Sequence, residues 1–170
     1  MKTAPDSPMK FPLRGTLLEI EEGAQLQPKF DERGLIPCVT QDASTLEVLM
    51  VGVMNAEALG LTLATREAHY WSRSRQELWR KGEQSGLVQH VEHVLIDDDQ
   101  DCVLLRVRIE GGASCHVGYR SCFFREVARL GPGPDFALNF LEKEKVFDPS
   151  KVYQTGQDGT PLVKSRTPSS

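Results

Sequence analysis

Hydrophobic and polar positions alternate most clearly in CVLLRVRIE, where Leu105, Val107 and Ile109 fall on one side of an extended chain. That period of two predicts a half-buried strand. VQHVEHVLID, just upstream, alternates only in part, and the two segments read as an antiparallel pair joined by an acidic run. LIPCVTQD and EVLMVGVM are apolar enough for two more strands, with a turn at Ala43–Thr45 between them. The pattern changes in NAEALGLTLATRE. There Asn55 is a natural N-cap, and Ala58, Leu61 and Leu63 supply the apolar side of a short helix. HYWSRSRQELWRKGEQSG predicts a strand followed by a working loop, EGGAS a turn and Gly131–Pro134 a further break. Phe136–Lys145 is expected to form one more helix, with VFDPSKVY trailing from it. Strands dominate, and the steady β-α alternation of a parallel sheet is missing. The expected class is therefore α+β, β-dominated, a folded mixed or antiparallel sheet with one or two short helices.

Composition narrows this only slightly. The 170 residues are 39% hydrophobic, enough for a single core without covalent staples. The ends are polar: residues 1–14 carry Pro-rich MKTAPDSPMKFP, and GQDGTPLVKSRTPSS closes the chain. The expected division is a flexible tail at 1–14, a domain at 15–127, and an extension at 128–170 with a short helix and a mobile end. A net charge of −4 argues against nucleic acid as a partner. No apolar run approaches the ~20 residues of a membrane span, and the start shows no secretory h-region. A cytoplasmic location is expected, where Cys38, Cys102, Cys115 and Cys122 stay reduced.

Three clusters carry candidate chemistry. Asp97, Asp99 and Asp101 are spaced i, i+2, i+4, which on an extended strand places all three carboxylates on one face. Such a set either holds a hard divalent cation such as Mg2+ or is a solvated turn. It is not an EF-hand, which would need a glycine and a distal glutamate. Cys115 and Cys122 are separated by HVGYRS. They either bind a soft metal such as zinc, with His116 beside them for proton transfer, or are two small buried side chains on neighbouring strands. The third cluster is WSRSRQELWRKGEQSG. Arg73, Arg75, Arg80 and Lys81, with Ser72, Ser74 and Ser85, match phosphate oxygens. Gly82 and Gly86 allow backbone N–H groups close approach. Trp71 or Trp79 can stack on a planar ring, although either indole taken alone is more readily a core residue. Together these types favour an anionic, ring-bearing small molecule.

The same residues resemble a known family. GLIPCVTQD, VLMVGVMNAEAL, HYWSRSRQELWRKGEQSG, the acidic frame at Asp97–Asp101 and SCHVGYRSCFFR, in this order from about Asp31 to Arg125, are similar to phosphoribosyl-AMP cyclohydrolases of histidine biosynthesis. The resemblance implies an intertwined homodimer with sites across its interface, and one Zn2+ and one Mg2+ per subunit. It implies hydrolytic opening of the N1–C6 bond of an adenine ring made cationic by its N1 substituent. On that basis Cys115 and Cys122 are expected to hold zinc, and Asp97, Asp99 and Asp101 magnesium. His116 is expected to move a proton, and Trp71, Ser72, Arg73, Arg75, Trp79, Lys81 and Ser85 to bind the nucleotide. One departure stands out: where the family carries a third zinc cysteine, this chain has Asp98. Asp98 then either binds zinc through oxygen, or the chain is a catalytically weak homologue that still binds phosphoribosyl nucleotides. An unrelated zinc-stabilised interaction protein is the remaining reading, which the WSRSR and KGEQSG elements disfavour. No fused pyrophosphohydrolase segment is expected after residue 127.

Overall fold

The structure is a computed structural model that describes residues 10–153; the first nine residues of the expected N-terminal tail and the expected mobile C-terminal end lie outside them. At its centre is a four-stranded sheet of β1 (Ile36–Asp42), β2 (Val48–Met54), β5 (Gln89–Ile96) and β6 (Val103–Ile109), in the order β2-β1-β6-β5. β1 runs antiparallel to β2 but parallel to β6, so the sheet is mixed. A hairpin of β3 (His69–Ser72) and β4 (Glu77–Arg80) packs with helix α2 (Ala56–Thr65) against one face. The β-dominated α+β class expected from the pattern is what the chain forms.

Local chemistry explains the elements. Asn55 caps α2, its Oδ1 accepting the Ala58 N–H at 2.8 Å, and the helix stops where Arg66 turns left-handed at φ 59°. The turn between β1 and β2 is built by the Asp42 carboxylate, which accepts from the N–H groups of Ser44 and Thr45 and from the Ser44 hydroxyl. β5 alternates only in part because its register shifts between Val91 and His93. The extra residue, Glu92, flips the phase, so Val91 points inward before it and Val94 and Ile96 after it. Ile36, Leu49, Met54, Leu59, Tyr70, Leu105 and Val107 close the core, each contributing about 1.5–3 kcal/mol of hydrophobic burial.

Two expectations are corrected. Phe136–Lys145 is not a helix: Phe136–Phe140 is strand β8, paired antiparallel with β7 (Arg125–Arg129). Phe136, Leu138 and Phe140 have the period of a strand, and the Gly131–Pro134 break returns the chain onto β7 instead of opening a helix. The additional helices are short and lie elsewhere, α1 at Leu17–Glu21 under a Thr16–Glu19 capping box, and α3 at Pro149–Val152 with Asp148 as its cap. The acidic run is not an extended strand face either. β5 ends at Ile96 and β6 begins at Val103, so residues 97–102 form the connecting turn, with Gln100 at φ 59°.

The opposite face of the central sheet carries one apolar row. Register pairs Val51 with Val39, Val39 with Leu104 and Leu104 with Leu95, a single row crossing all four strands. Val51 is 55% and Leu95 38% exposed. No helix among the described residues is long and apolar enough to cross a membrane.

Candidate active site

Turn geometry, not strand alternation, gathers the carboxylates. Asp97 Oδ1 accepts from the N–H groups of Asp101 and Cys102, each at 2.9 Å, and so ties the turn. Buried Gln100 anchors it from below, donating to the carbonyls of Ile20 and Gln25. As a result one oxygen from each of Asp97, Asp99 and Asp101 lies within 4.8 Å of the others. Hard oxygen donors at that spacing fit a divalent cation that keeps some of its waters. Lys29, remote in sequence, brings its Nζ to 3.0 Å from Asp99 and 3.1 Å from Asp101, and the Arg14 guanidinium donates to the Asp99 carbonyl at 2.9 Å. Hydrogen bonds to these two carboxylates hold the lysine above its ordinary pKa and Asp99 below its own.

The thiol loop is pinned to the free edge of β2. Cys122 N donates to Leu49 O at 2.7 Å, and Ser121 Oγ to Val48 O at 2.8 Å. Glu142 closes the loop from the far side, accepting the N–H groups of Arg120 and Ser121. Gly118 has φ 105°, and a Cβ there would run into the carbonyl oxygen of Phe147. Tyr119 stacks on Phe124 with ring centroids 3.9 Å apart, giving the loop a small core of its own with Cys115.

Within this loop Cys115 and Cys122 lie close enough for each thiol to act on the other's ionisation. This proximity favours the Cys115 thiolate and pushes the thiol of Cys122, which is exposed on the loop surface, up. Two adjacent sulfurs fit a soft metal. Buried Lys81 faces both sulfurs and donates to Ser114 O at 2.5 Å. Burial lowers its pKa, and the two thiols oppose that. Exposed His116 lies close enough to Cys115 to favour its thiolate. Asp98 and Cys102 do not join the thiols within one chain: the one cluster of at least three metal-ligating groups among the described residues is the aspartate triplet.

The basic aromatic segment is divided between core and surface. Trp79 packs against the core and lies 5.1 Å from Tyr70, ring to ring. Arg80 is committed to Glu67 at 2.8 Å. Arg73, Ser74 and Arg75 form the exposed tip of the β3–β4 hairpin, where Ser72 Oγ accepts the Arg75 N–H and Arg75 pairs with Glu77. Trp71 and Ser85 are half-buried. Sequence reasoning missed Lys29, Gln100, Gln89 and Glu142, whose partners lie between 19 and 80 residues away; no local pattern marks them.

Arg120 ties the thiol loop to the β1–β2 turn through Asp42 at 2.9 Å and Glu47 at 2.7 Å. Burial works to raise the Asp42 carboxyl, but the hydrogen bonds from Ser44, Thr45 and Arg120 outweigh it and hold it far below the usual carboxylate range. A depressed carboxylate stabilises the fold above its unfolded pKa, ~3.9, and that contribution is lost as pH falls toward the folded value. Asp42→Asn is therefore expected to cost about 1–3 kcal/mol at neutral pH. The gap between the variant and the natural chain should narrow below ~pH 4, which thermal melts across pH 2–7 would show.

Comparison with known proteins places this geometry. The family model described as phosphoribosyl-AMP cyclohydrolase matches residues 50–124, from β2 to the end of the thiol loop. A protein of that name from Rhodopseudomonas palustris is 53% identical over 136 residues, covering 80% of this chain and 92% of the relative. One from Nitrobacter winogradskyi is 52% identical over 80% of this chain and 92% of the relative. One from Nitrobacter hamburgensis is 49% identical over 85% and 97%. At that identity over nearly the whole length of the relatives, the chain belongs to the phosphoribosyl-AMP cyclohydrolase family, hydrolases that act on a cyclic amidine C–N bond.

Proposed function

We propose that this chain hydrolyses the N1–C6 bond of the adenine ring of 1-(5-phosphoribosyl)-AMP, in histidine biosynthesis, as a zinc- and magnesium-dependent homodimer in the cytoplasm. The supporting observation is that one fold gathers two sets of groups of opposite character: three carboxylates within 4.8 Å and two thiols of one loop close enough to act on each other's ionisation. Cys115 and Cys122 would hold the zinc of each subunit, and Asp97, Asp99 and Asp101 its magnesium. Zinc so held would supply Lewis acidity toward water, and magnesium would neutralise phosphate.

The protein's own groups account for the rest. The N1-substituted ring is cationic and C6 is electrophilic; the elements of water add with oxygen to C6 and a proton to N1 as the bond between them breaks. His116, exposed beside Cys115, is the group placed to move that proton. Lys81 lies near the two sulfurs, whose charge opposes the lowering that burial imposes on its ammonium. Arg73, Arg75 and Ser72 on the hairpin tip would take a phosphate, with Ser85 assisting, and Trp71 presents the available indole face because Trp79 is packed inward.

Two features support the dimer. The thiols lack a third protein ligand within the described chain, and the apolar row on the outer sheet face is uncovered. In this arrangement Asp98 of one subunit faces Cys115 and Cys122 of the other. The test is to add phosphoribosyl-AMP to metal-replete protein and follow the adenine chromophore. Loss of its ultraviolet absorbance confirms the reading. Tight binding without turnover would instead identify a catalytically weak homologue.

Lys29 supplies a sharper check on the acidic site. Its ammonium and a divalent ion compete for the same two oxygens, so Lys29→Met is expected to lower the Mg2+ concentration needed for half-maximal rate. Asp99→Asn is expected to raise it with little loss of fold. Unchanged Mg2+ dependence in both variants would show the triplet to be a solvated turn.

A further inference from the structure

A chain of buried hydrogen bonds runs from the centre of the core to the residue before Cys115. Thr40 and Tyr70 share a bond of 2.7 Å between hydroxyls, and the Tyr70 hydroxyl donates to Gln89 Oε1 at 2.8 Å. Gln89 Nε2 then donates to Ser114 Oγ at 2.9 Å. Thr40 and Gln89 are 0% exposed, Tyr70 and Ser114 1%. These groups come from β1, β3, β5 and the thiol loop, four segments that share no local pattern.

Ser114 is held on three atoms. Its N–H donates to Arg120 O across the loop, its carbonyl accepts from Lys81, and its hydroxyl accepts from Gln89. The first bond is internal to the loop and the second comes from a flexible side chain. Only the third connects the loop to the rigid sheet on the Cys115 side, because the pins to Val48 and Leu49 lie at Ser121 and Cys122. A buried amide is costly to leave unpaired, so the sheet side of the relay admits one position of Ser114 and hence one position of Cys115.

We infer that Gln89 is a positioning residue for the thiol pair: the Tyr70–Gln89–Ser114 relay fixes Cys115 against Cys122 in the geometry that a soft metal requires. The inference rests on the reading of these two thiols as the zinc site. It differs from a plain core role in what it predicts, because the relay acts on one loop and not on global stability alone.

The experiment uses the full-length protein in four variants: Gln89→Met, Ser114→Ala, the double variant, and Thr62→Val. Thr62 is an equally buried hydroxyl on α2, bonded to Ala58 O and His69 N, away from the thiol loop. Zinc release to a colorimetric chelator is measured on loaded protein, and the labelling rate of Cys115 by a disulfide reagent on metal-free protein. Gln89→Met and Ser114→Ala should each release zinc ~10-fold faster, as loss of a ligand's supporting partner does. Both should expose buried Cys115 to faster labelling. The double variant should be no worse than either single one, since both remove the same bond. Thr62→Val should lower the melting temperature by several degrees and leave both rates unchanged. Equal rates in Gln89→Met and the natural chain would overturn the inference. So would additive single effects, or the same acceleration in Thr62→Val. If Cys115→Ser releases zinc no faster than the natural protein, the zinc reading itself fails, and the labelling rates alone then decide the relay.

Discussion

Cys115→Ser is expected to abolish measurable ring opening and to leave the protein without its zinc after dialysis against a mild chelator. A serine hydroxyl stays protonated where the thiol, favoured as thiolate by its proximity to Cys122, does not. The substitution therefore removes a charge as well as a soft donor. Losing a supporting partner of a ligand costs ~10–100-fold in affinity or activity; losing one of two sulfurs should exceed that. The fold should survive, because the loop keeps its bonds to Val48, Leu49 and Glu142. Zinc content by atomic absorption and the spectrophotometric assay check both halves. Retained zinc with full activity would place the metal elsewhere. Asp98→Ala and Asp98→Cys extend the series: an oxygen ligand predicts weaker retention in the first and tighter in the second, and equal retention in Asp98→Ala would remove Asp98 from the ligand set.

The second large effect is expected at the outer sheet face. Placing aspartate at Leu104 and at Val39, in the middle of the Val51–Val39–Leu104–Leu95 row, puts two charges where the proposed dimer buries apolar surface. An unpaired charge removed from water costs several kcal/mol, comparable to the margin of many micromolar dimers. The double variant is expected to be monomeric in light scattering at micromolar concentration, folded by circular dichroism, and inactive. A fully active monomer would refute the shared site. A mixing experiment separates shared sites from mere association: Asp99→Ala and Cys115→Ser, each inactive alone, should recover activity when refolded together. In a mixed dimer one site takes its carboxylates and its thiols from unmutated copies. No recovery in a sample shown to contain mixed dimers would mean that each site lies within one subunit.

The acidic turn lies at the limit of what local sequence determines. Spacing alone singled out Asp97, Asp99 and Asp101, yet for the wrong reason. An extended strand would align them, whereas the turn closed by Asp97 Oδ1 and Gln100 brings their oxygens together. Lys29 between two of them was invisible, because a partner 70 residues away leaves no local trace. The basic aromatic segment was legible as a cluster but not in its division. The pleat turns Trp79 onto Tyr70 and the core, leaves Arg73 and Arg75 at the tip, and the backbone beyond β4 carries Lys81 inward to the thiols. The helix expected at Phe136–Lys145 failed because propensity in a short apolar run is weak against an available strand partner.

By itself the sequence determined the class, the strands of the central sheet, the capped helix α2, and the family, because hydrophobic period, the Asn55 cap and the order of the motifs are local properties of the chain. Tertiary structure alone decided the parallel pairing of β1 with β6 and the pinning of the thiol loop to the edge of β2. It also placed Lys29 against the carboxylate triplet and Lys81 near the two thiols, and linked Gln89 to Ser114. Each of these is a contact between segments far apart in sequence, whose energy exists only once the intervening chain has folded and lost its entropy.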